Sequence, residues 1–266
     1  MKSYVVCSTQ RSGSTMFCSH LEALKNFGAP RERLLFLERN IKHLAGRQMQ
    51  LKAMPLTESI KHAFLDSSSI DSRMYGVKLM ASTLRCFPRS EISTDKIVSE
   101  EDFFRKIAEF LSKHVGVEKY IYWRRKNKVA QALSHFYLRK TGVAHVYSER
   151  DEVSYNEKVN SFSIDFEGVE RELYRLLVDE QLWSRFFVVN GIDPFVINYE
   201  DFLESKSDKL SDIARYLGFE LDRVGVEKIS ESVEIKKISK NMDRGALLEM
   251  ERKFRTKYPR SFNCFF

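Results

Sequence analysis

Short runs of apolar residues alternate along the chain with longer stretches in which apolar positions recur every three or four residues. The short runs have the length and the aromatic and β-branched content of buried strands, and the longer stretches have the spacing of amphipathic helices. The pattern predicts strands at residues 4–7, 75–80, 120–123 and 195–199, and helices that include residues 103–111, 129–138 and 166–189. A further helix is predicted to start at residues 200–201 and to continue after residue 207 to residue 217. Because strands alternate with helices, we expect an α/β fold with a mainly parallel central sheet.

The length and composition predict one globular domain. The chain has 266 residues, of which 43% are hydrophobic and 30% charged, and it contains no evident internal repeat or low-complexity tract. Such a length can bury a substantial core and lies near the upper end for one α/β domain. Residues 33–70 are helical in character but are interrupted by Gly46 and Pro55. We therefore expect a single domain over residues 1–266 with a helical insertion at residues 33–70.

The charge of the chain favours an anionic ligand. The formal net charge is +7, and the basic residues are spread along the chain in small groups such as those at 124–126 and 236–237. A positive protein attracts nucleic acid, acidic lipid and phosphorylated small molecules alike. There is no long basic tail and no repeated pattern of aromatic and basic residues. A confined small anion is therefore favoured over nucleic acid.

Cysteine and histidine spacing gives no sign of a metal site. The four cysteines lie far apart without a C-x-x-C pair, and the six histidines show no metal-binding spacing. We expect reduced thiols and no bound metal. The sequence enters its first strand at once, and no apolar run has the length of a signal peptide core or a membrane span. These features predict a cytoplasmic protein with no integral membrane segment.

The first predicted strand leads into a polar turn that opens a helix. The turn extends from Ser8 to Thr15, and the helix shows in the apolar positions Met16, Phe17, Leu21 and Leu24. Such a turn offers backbone N–H groups, hydroxyls and the Arg11 guanidinium at the amino end of a helix, where anions bind. We therefore expect a phosphate-binding loop.

Two familiar phosphate-binding loops do not fit this sequence. If Gly13 is set on the second glycine of a Walker A loop, Ser14 occupies the lysine position and Ser8 replaces the first glycine. A tyrosine-phosphatase loop has its arginine six positions after the cysteine, whereas Arg11 is only four after Cys7. A lone glycine turn is often purely structural. The run Arg-Ser-Gly-Ser-Thr nevertheless favours a binding loop.

The run Gln-Arg-Ser-Gly-Ser-Thr after the first strand resembles the 5′-phosphosulfate loop of Stf0-type sulfotransferases, which include trehalose 2-sulfotransferase. The resemblance implies a P-loop-like three-layer fold, the donor 3′-phosphoadenosine 5′-phosphosulfate (PAPS) and the product adenosine 3′,5′-bisphosphate. It assigns donor binding to Gln10, Arg11, Ser12, Gly13, Ser14 and Thr15. Arg11 would meet the phosphosulfate without a metal, and so it is also a catalytic candidate. A homodimer is expected because family members form dimers.

A second basic segment follows the third strand. In the family, a strand-end arginine and a serine on the next helix hold the 3′-phosphate, and the matching residues here are Arg125 and Ser134. Arginine suits this role because its guanidinium donates two parallel hydrogen bonds to phosphate oxygens. Arg124 remains an alternative, since a shift of one residue along a strand end reverses the face. The alternative is that this segment is only a solvent-exposed basic turn that binds no ligand.

Glu32 is the candidate general base. The spacing Gly28-x-Pro30-x-Glu32 matches the family segment that carries the catalytic glutamate. Judged without the family, an acidic residue in the first turn of a helix more often complements the helix dipole. Here Arg33 and Leu34 follow Glu32, where the type member has aromatic residues, and trehalose is therefore not carried over as the acceptor. Glu38 and His20 are the next candidates for the base.

Further matches to the family extend over most of the chain. They are residues 76–80, Trp183-x-x-Phe186 and residues 199–201, with fainter matches at residues 251–255 and Arg244. We therefore predict a sulfotransferase that acts on a hydroxyl of a carbohydrate or glycolipid. A P-loop kinase-like phosphotransferase is the alternative enzyme, and a non-catalytic nucleic-acid-binding protein is the alternative from another class.

Overall fold

The computed structural model describes residues 2–37, 46–66, 73–143, 149–232 and 244–265. These residues form two compact units. The first contains the described residues within 1–9, 13–124 and 179–233, and the second contains those within 10–12, 125–178 and 234–266.

The first unit is built on a four-stranded parallel sheet. Its strands are β1 (Ser3–Ser8), β2 (Tyr75–Met80), β3 (Val117–Arg124) and β4 (Phe195–Asn198), in the order β2-β1-β3-β4. All three strand pairs are parallel, which confirms the prediction of a parallel sheet. Every residue of β1 is buried. A strand covered on both faces reads as a continuous apolar run, and this is why β1 could be recognised from the sequence.

Helices cover both faces of this sheet. Val5 and Cys7 belong to one core cluster, whereas Tyr4 and Val6 belong to another. Since successive side chains of a strand point to opposite faces, the two clusters are the two faces of the sheet. The first unit is therefore a three-layer α/β structure, as the resemblance implied.

The helices of the whole described chain follow in sequence order. They are α1 (Ser14–Ala23), α2 (Gly46–Lys52), α3 (Leu56–Leu65), α4 (Ala81–Leu84), α5 (Arg89–Ile92), α6 (Glu100–Val115), α7 (Lys128–Thr141), α8 (Glu149–Asn160), α9 (Phe166–Asn190), α10 (Tyr199–Glu204), α11 (Lys206–Leu217), α12 (Arg223–Ser232) and α13 (Arg244–Lys257). Short 3₁₀ helices cover Leu35–Leu37 and Phe262–Phe265. None of the described helices combines the length and the apolar character needed to cross a bilayer.

The second unit has its own hydrophobic core. Leu133 and Phe136 of α7 pack in one cluster with Leu173 of α9 and with Met250 and Phe254 of α13. The paired positions on α7 and on α13 lie three and four residues apart, which is the spacing of one helix face. Among the described residues, the buried members of this core lie on helices, and no strand contributes to it.

Three local predictions were wrong or incomplete. Tyr199 begins α10 instead of ending β4. The segment after Pro30 does not start a helix at Glu32, because Arg31 forms a parallel bridge with Val77 and the following helical turn is the 3₁₀ helix Leu35–Leu37. Helix α8 was not predicted, because its sequence is mostly polar and shows no clear apolar face.

Candidate active site

The loop after β1 has the backbone geometry of an anion site. Arg11 and Gly13 both have left-handed backbone conformations, with φ of 59° and 86°. Helix α1 begins at Ser14, and neither a capping side chain nor an acidic residue in its first turn compensates its positive end. Helix α6, by contrast, is capped by Ser99 and has three acidic residues in its first turn. The amino end of α1 is therefore suited to a bound anion.

Gly13 is required by two independent features. Its positive φ is costly for any residue with a Cβ atom, and an added Cβ would lie 2.5 Å from Cδ2 of Tyr199. The ring of Tyr199 therefore packs directly against the backbone where α1 begins. Trp183 fixes the end of β1 from another direction, because its indole N–H donates to the Ser8 carbonyl oxygen at 3.0 Å.

A buried lysine joins the loop to Glu32. The Lys78 side chain of β2 is only 5% exposed, and its Nζ donates to Thr15 Oγ1 at 3.1 Å and pairs with Glu32 Oε1 at 2.8 Å. A charge that is removed from water to this extent needs a partner. Glu32 supplies it, and Thr15 accepts a further hydrogen bond.

Glu32 reaches this position because its segment lies along the edge of β2. The Lys78 N–H donates to the Arg31 carbonyl oxygen at 3.0 Å, next to the bridge between Arg31 and Val77. The Arg31 side chain is ion-paired with Glu22 of α1. These contacts hold Glu32 beside Lys78, and its side chain remains 30% exposed to solvent.

In the second unit, residues 10–12 pack against α7 through polar contacts. The Gln131 side-chain N–H donates to the Gln10 carbonyl oxygen at 2.6 Å, and Arg11 Nε donates to Ser134 Oγ at 3.0 Å. Arg125 Nη1 donates to the Arg11 carbonyl oxygen at 3.3 Å. The structure thus brings together three of the predicted donor-binding residues, Arg11, Arg125 and Ser134.

Arg11 is surrounded by charge as well as hydrogen-bond partners. Burial lowers the pKa of its guanidinium, the neighbouring Tyr155 acts in the opposite direction, and the positive charge of Arg125 lowers the pKa further. Two guanidinium groups that repel each other in a partly buried position favour the binding of an anion.

The two adjacent arginines after β3 have different partners. Arg124 pairs with Glu180 at 3.4 Å and lies over the ring of Tyr122 in the first unit. Arg125 contacts the loop at Arg11 in the second unit. The geometry therefore favours Arg125 over Arg124 as a phosphate ligand.

Helix α7 begins next to Arg125 with a well-defined cap. The Asn127 side-chain oxygen accepts the Ala130 N–H at 2.7 Å, and its Nδ2 donates to Glu251 of α13 at 3.1 Å. The Lys128 ammonium donates to the Arg125 carbonyl oxygen. These contacts set the start of α7 and thereby the position of Ser134 two turns later.

Lys78 is the residue that sequence reasoning missed. Residues 76–80 match the family in sequence, but the match by itself predicts no role for the lysine. The available signal was a charged residue inside an otherwise apolar strand, with Val77 and Leu79 as neighbours. Such a residue needs a partner or a function when the strand is covered on both faces.

The other candidates have less support. Glu38 lies outside the described residues. His20 is fully buried, with its Nδ1 at 2.9 Å from the Met16 carbonyl oxygen. Arg255 of the basic C-terminal helix lies over the Phe262 ring. Within the described ranges, no three His, Cys, Asp or Glu side chains are grouped as metal ligands.

Comparisons with known proteins place this chain among sulfotransferases. The family model for Stf0 sulphotransferase matches residues 3–244. A crystal structure of a sulfotransferase from Alicyclobacillus acidocaldarius is similar over 100% of this chain and 94% of that chain, with a TM-score of 0.51 and 12% sequence identity. At 12% identity, this similarity supports the assignment of the fold only.

A weaker structural similarity is found to retinol dehydratase in complex with androsterone and the inactive cofactor PAP. It covers 88% of this chain and 65% of that chain, with 16% identity and a TM-score of 0.43. No curated protein sequence matches the chain.

Proposed function

We propose that this chain transfers the sulfuryl group of PAPS to a hydroxyl of a carbohydrate or glycolipid. The chain belongs to the Stf0 sulphotransferase family and is therefore a sulfotransferase. The family match confirms the resemblance to Stf0-type sulfotransferases. The observation that carries the proposal is the contact of buried Lys78 with both Thr15 and Glu32. It links a residue of the phosphate-binding loop to a carboxylate able to accept a proton.

The assignment of the two anionic ends of PAPS follows the family resemblance. We assign the 5′-phosphosulfate to residues 10–15, which include the uncompensated amino end of α1. We assign the 3′-phosphate to Arg125 and Ser134. The pKa of Arg11 supports an anion here, because burial and the charge of Arg125 both lower it, and a bound phosphate would relieve that repulsion.

The proposed reaction is an in-line transfer. When bound, the donor supplies a sulfuryl group whose bond to the phosphate oxygen breaks as a bond to the acceptor oxygen forms. Glu32 accepts the proton of the acceptor hydroxyl, which makes that oxygen a better nucleophile. Arg11 and the N–H groups of the loop stabilise the negative charge that develops on the departing oxygen.

Positive side chains take over the role that lysine and magnesium share in nucleotide kinases. We therefore expect transfer to continue in the presence of a chelator. Activity that is lost with EDTA and restored by magnesium would contradict this expectation and favour a kinase-like phosphotransferase.

The acceptor class and the assembly are proposed from the family resemblance. The exposed part of Glu32 allows a hydroxyl to approach, and Arg33 and Leu34 next to it would shape the acceptor pocket differently from that of the type member. We also expect a homodimer located in the cytoplasm. Size-exclusion chromatography with light scattering tests the dimer.

Ligand binding separates the three candidate functions. Thermal shifts are compared for adenosine 3′,5′-bisphosphate, magnesium-ATP and an oligonucleotide at equal concentration. We expect the bisphosphate to stabilise the protein most. A screen of hydroxyl acceptors with sulfur-labelled PAPS and mass-spectrometric readout then identifies the acceptor. Stabilisation by ATP or the oligonucleotide alone, with no sulfated product, would overturn the proposal.

A further inference from the structure

The charged side chain of Lys78 is buried, unlike the cation of an ion pair at a protein surface. Its side chain is 5% exposed, and it lies in β2 between the apolar residues Val77 and Leu79. Burial of an ammonium group is unfavourable, and an apolar residue of similar volume is often at least as stable in such a position. The stability of β2 therefore gives no reason for a lysine here.

The contacts of the Lys78 ammonium group indicate why a lysine occupies this position. Its Nζ lies 3.1 Å from Thr15 Oγ1, and Thr15 is the second residue of α1, whose amino end has no capping side chain. An anion bound by the first N–H groups of α1 would lie beside Thr15, within reach of an ammonium group already held there. Lysine is a compact point charge with three donors, so it can bind this anion while it keeps Glu32 as a partner.

We propose that Lys78 is a catalytic residue that binds the 5′-phosphosulfate end of the donor and at the same time positions Glu32. This inference rests on the proposed function. As the sulfur–oxygen bond to the 5′-phosphate breaks, its electron pair stays on the phosphate oxygen, and Lys78 stabilises the resulting charge. The proton of the acceptor hydroxyl goes to Glu32. In this way Lys78 of the neighbouring strand β2 supplies a lysine to the loop. The loop itself has Ser14 at the position of the Walker A lysine.

This proposal can be tested by comparing the dissociation constants of two nucleotides that differ by one phosphate. Lys78→Met should weaken adenosine 3′,5′-bisphosphate by about 10- to 150-fold, the range for a lost hydrogen bond to a charged group. The same variant should bind adenosine 3′-monophosphate, which has no 5′-phosphate, as the wild type does. Isothermal titration calorimetry measures both dissociation constants. An unchanged bisphosphate affinity, or an equal loss for both ligands, would overturn the proposal.

Turnover and stability complete the test. We expect kcat of Lys78→Met to fall by about 10²- to 10³-fold, as when one preorganised donor is removed from an enzyme, and Lys78→Arg to restore part of the bisphosphate affinity. The melting temperature should not fall, because methionine fits an apolar strand and Glu32 can be hydrated. Lys113→Met, which removes an exposed lysine of α6, is the control for net charge. A lowered melting temperature with normal ligand selectivity would make Lys78 purely structural.

The outcome for the wild type separates the two proposals. If wild-type protein neither binds the bisphosphate nor transfers sulfate, the proposed function fails. If wild-type protein does both and Lys78→Met behaves in the same way, only the role of Lys78 fails. Should Lys78→Met not fold, Lys78→Gln keeps a hydrogen-bond donor without the charge and is expected to show the same loss of selectivity.

Discussion

The two units place positive charges that are buried or partly buried in different surroundings. In the first, Lys78 is paired with a carboxylate and a hydroxyl, at 2.8 Å from Glu32 and 3.1 Å from Thr15. In the second, Arg11 lies near another guanidinium, and burial together with the charge of Arg125 lowers the pKa of Arg11. A cation with a carboxylate at hand suits a reaction that moves a proton. Two cations brought together suit a ligand that is always anionic, such as a phosphate.

The largest effect is expected at Glu32. Glu32→Gln keeps the size of the side chain and its hydrogen bonds but removes the proton acceptor, so kcat should fall by about 10²- to 10⁴-fold while the dissociation constant of adenosine 3′,5′-bisphosphate changes little. Steady-state kinetics and calorimetry measure the two quantities. Glu91→Gln, at a carboxylate in α5, is the control. Near-normal turnover with a lowered melting temperature would show that Glu32 only stabilises the fold.

The next effect concerns the backbone at the start of α1. Gly13→Ala adds a Cβ where φ is 86° and where Tyr199 lies 2.5 Å away, whereas Gly218→Ala adds one at φ 88° with no atom within 4 Å. The control should lose about 1 kcal/mol of unfolding free energy from the backbone conformation alone. Gly13→Ala should lose about 1–3 kcal/mol more because the ring must move. Chemical denaturation measures both, and equal losses would mean that Tyr199 yields without cost.

A smaller and more selective effect is expected in the second unit. Arg125→Ala should weaken adenosine 3′,5′-bisphosphate by about 1.5–3 kcal/mol, the range for a charge-assisted hydrogen bond, and leave 5′-AMP nearly unaffected. Without the ligand, the unfolding free energy should change little, because relief of the repulsion from Arg11 opposes the loss of the hydrogen bond to the Arg11 carbonyl oxygen. Arg124→Ala, at the arginine paired with Glu180, is the matched control. Equal losses for both nucleotides would remove Arg125 from the 3′-phosphate site.

The smallest effect follows from His135, which lies next to Ser134 in α7. Burial lowers its pKa below 6.5, Glu172 at 2.9 Å raises it, and Arg139, Arg11 and Arg175 lower it. As the pH falls through 6.5, the unfolded chain is protonated before the folded one, so the unfolding free energy should decrease until the folded-state pKa is passed.

Denaturation curves measured between pH 8 and pH 5 test this dependence. His135→Gln should flatten it, and Glu172→Gln should steepen it, because the carboxylate is the group that raises the pKa of His135. A variant without His135 that keeps the full pH dependence would assign the effect to another group. The result would also show how strongly the nearby arginines disfavour the protonation of His135.

Much of the fold and part of the site could be predicted from the sequence. Strand β2 was predicted with the bounds Tyr75–Met80, and α9 at Phe166–Asn190 extends the predicted helix by one residue at its end. These elements are strongly periodic, and burial on both faces gives the strands their continuous apolar runs. The polar helix α8 has no such signal, and the bridge at Arg31 depends on a strand that is distant in sequence.

Local sequence determined the loop, because Arg11 to Thr15 are consecutive and Gly13 is the residue that tolerates both a positive φ and the approach of Tyr199. Tertiary structure alone decided which side chains meet that loop. Lys78 reaches Thr15 across 63 positions of sequence, and Arg11 reaches Ser134 across 123. The different partners of Arg124 and Arg125, which favour Arg125 as the proposed phosphate ligand, likewise depend on tertiary structure. The physical reason is that periodicity encodes which face of an element is buried, whereas the partner of a buried charge depends on which strands are neighbours and in what register they pair.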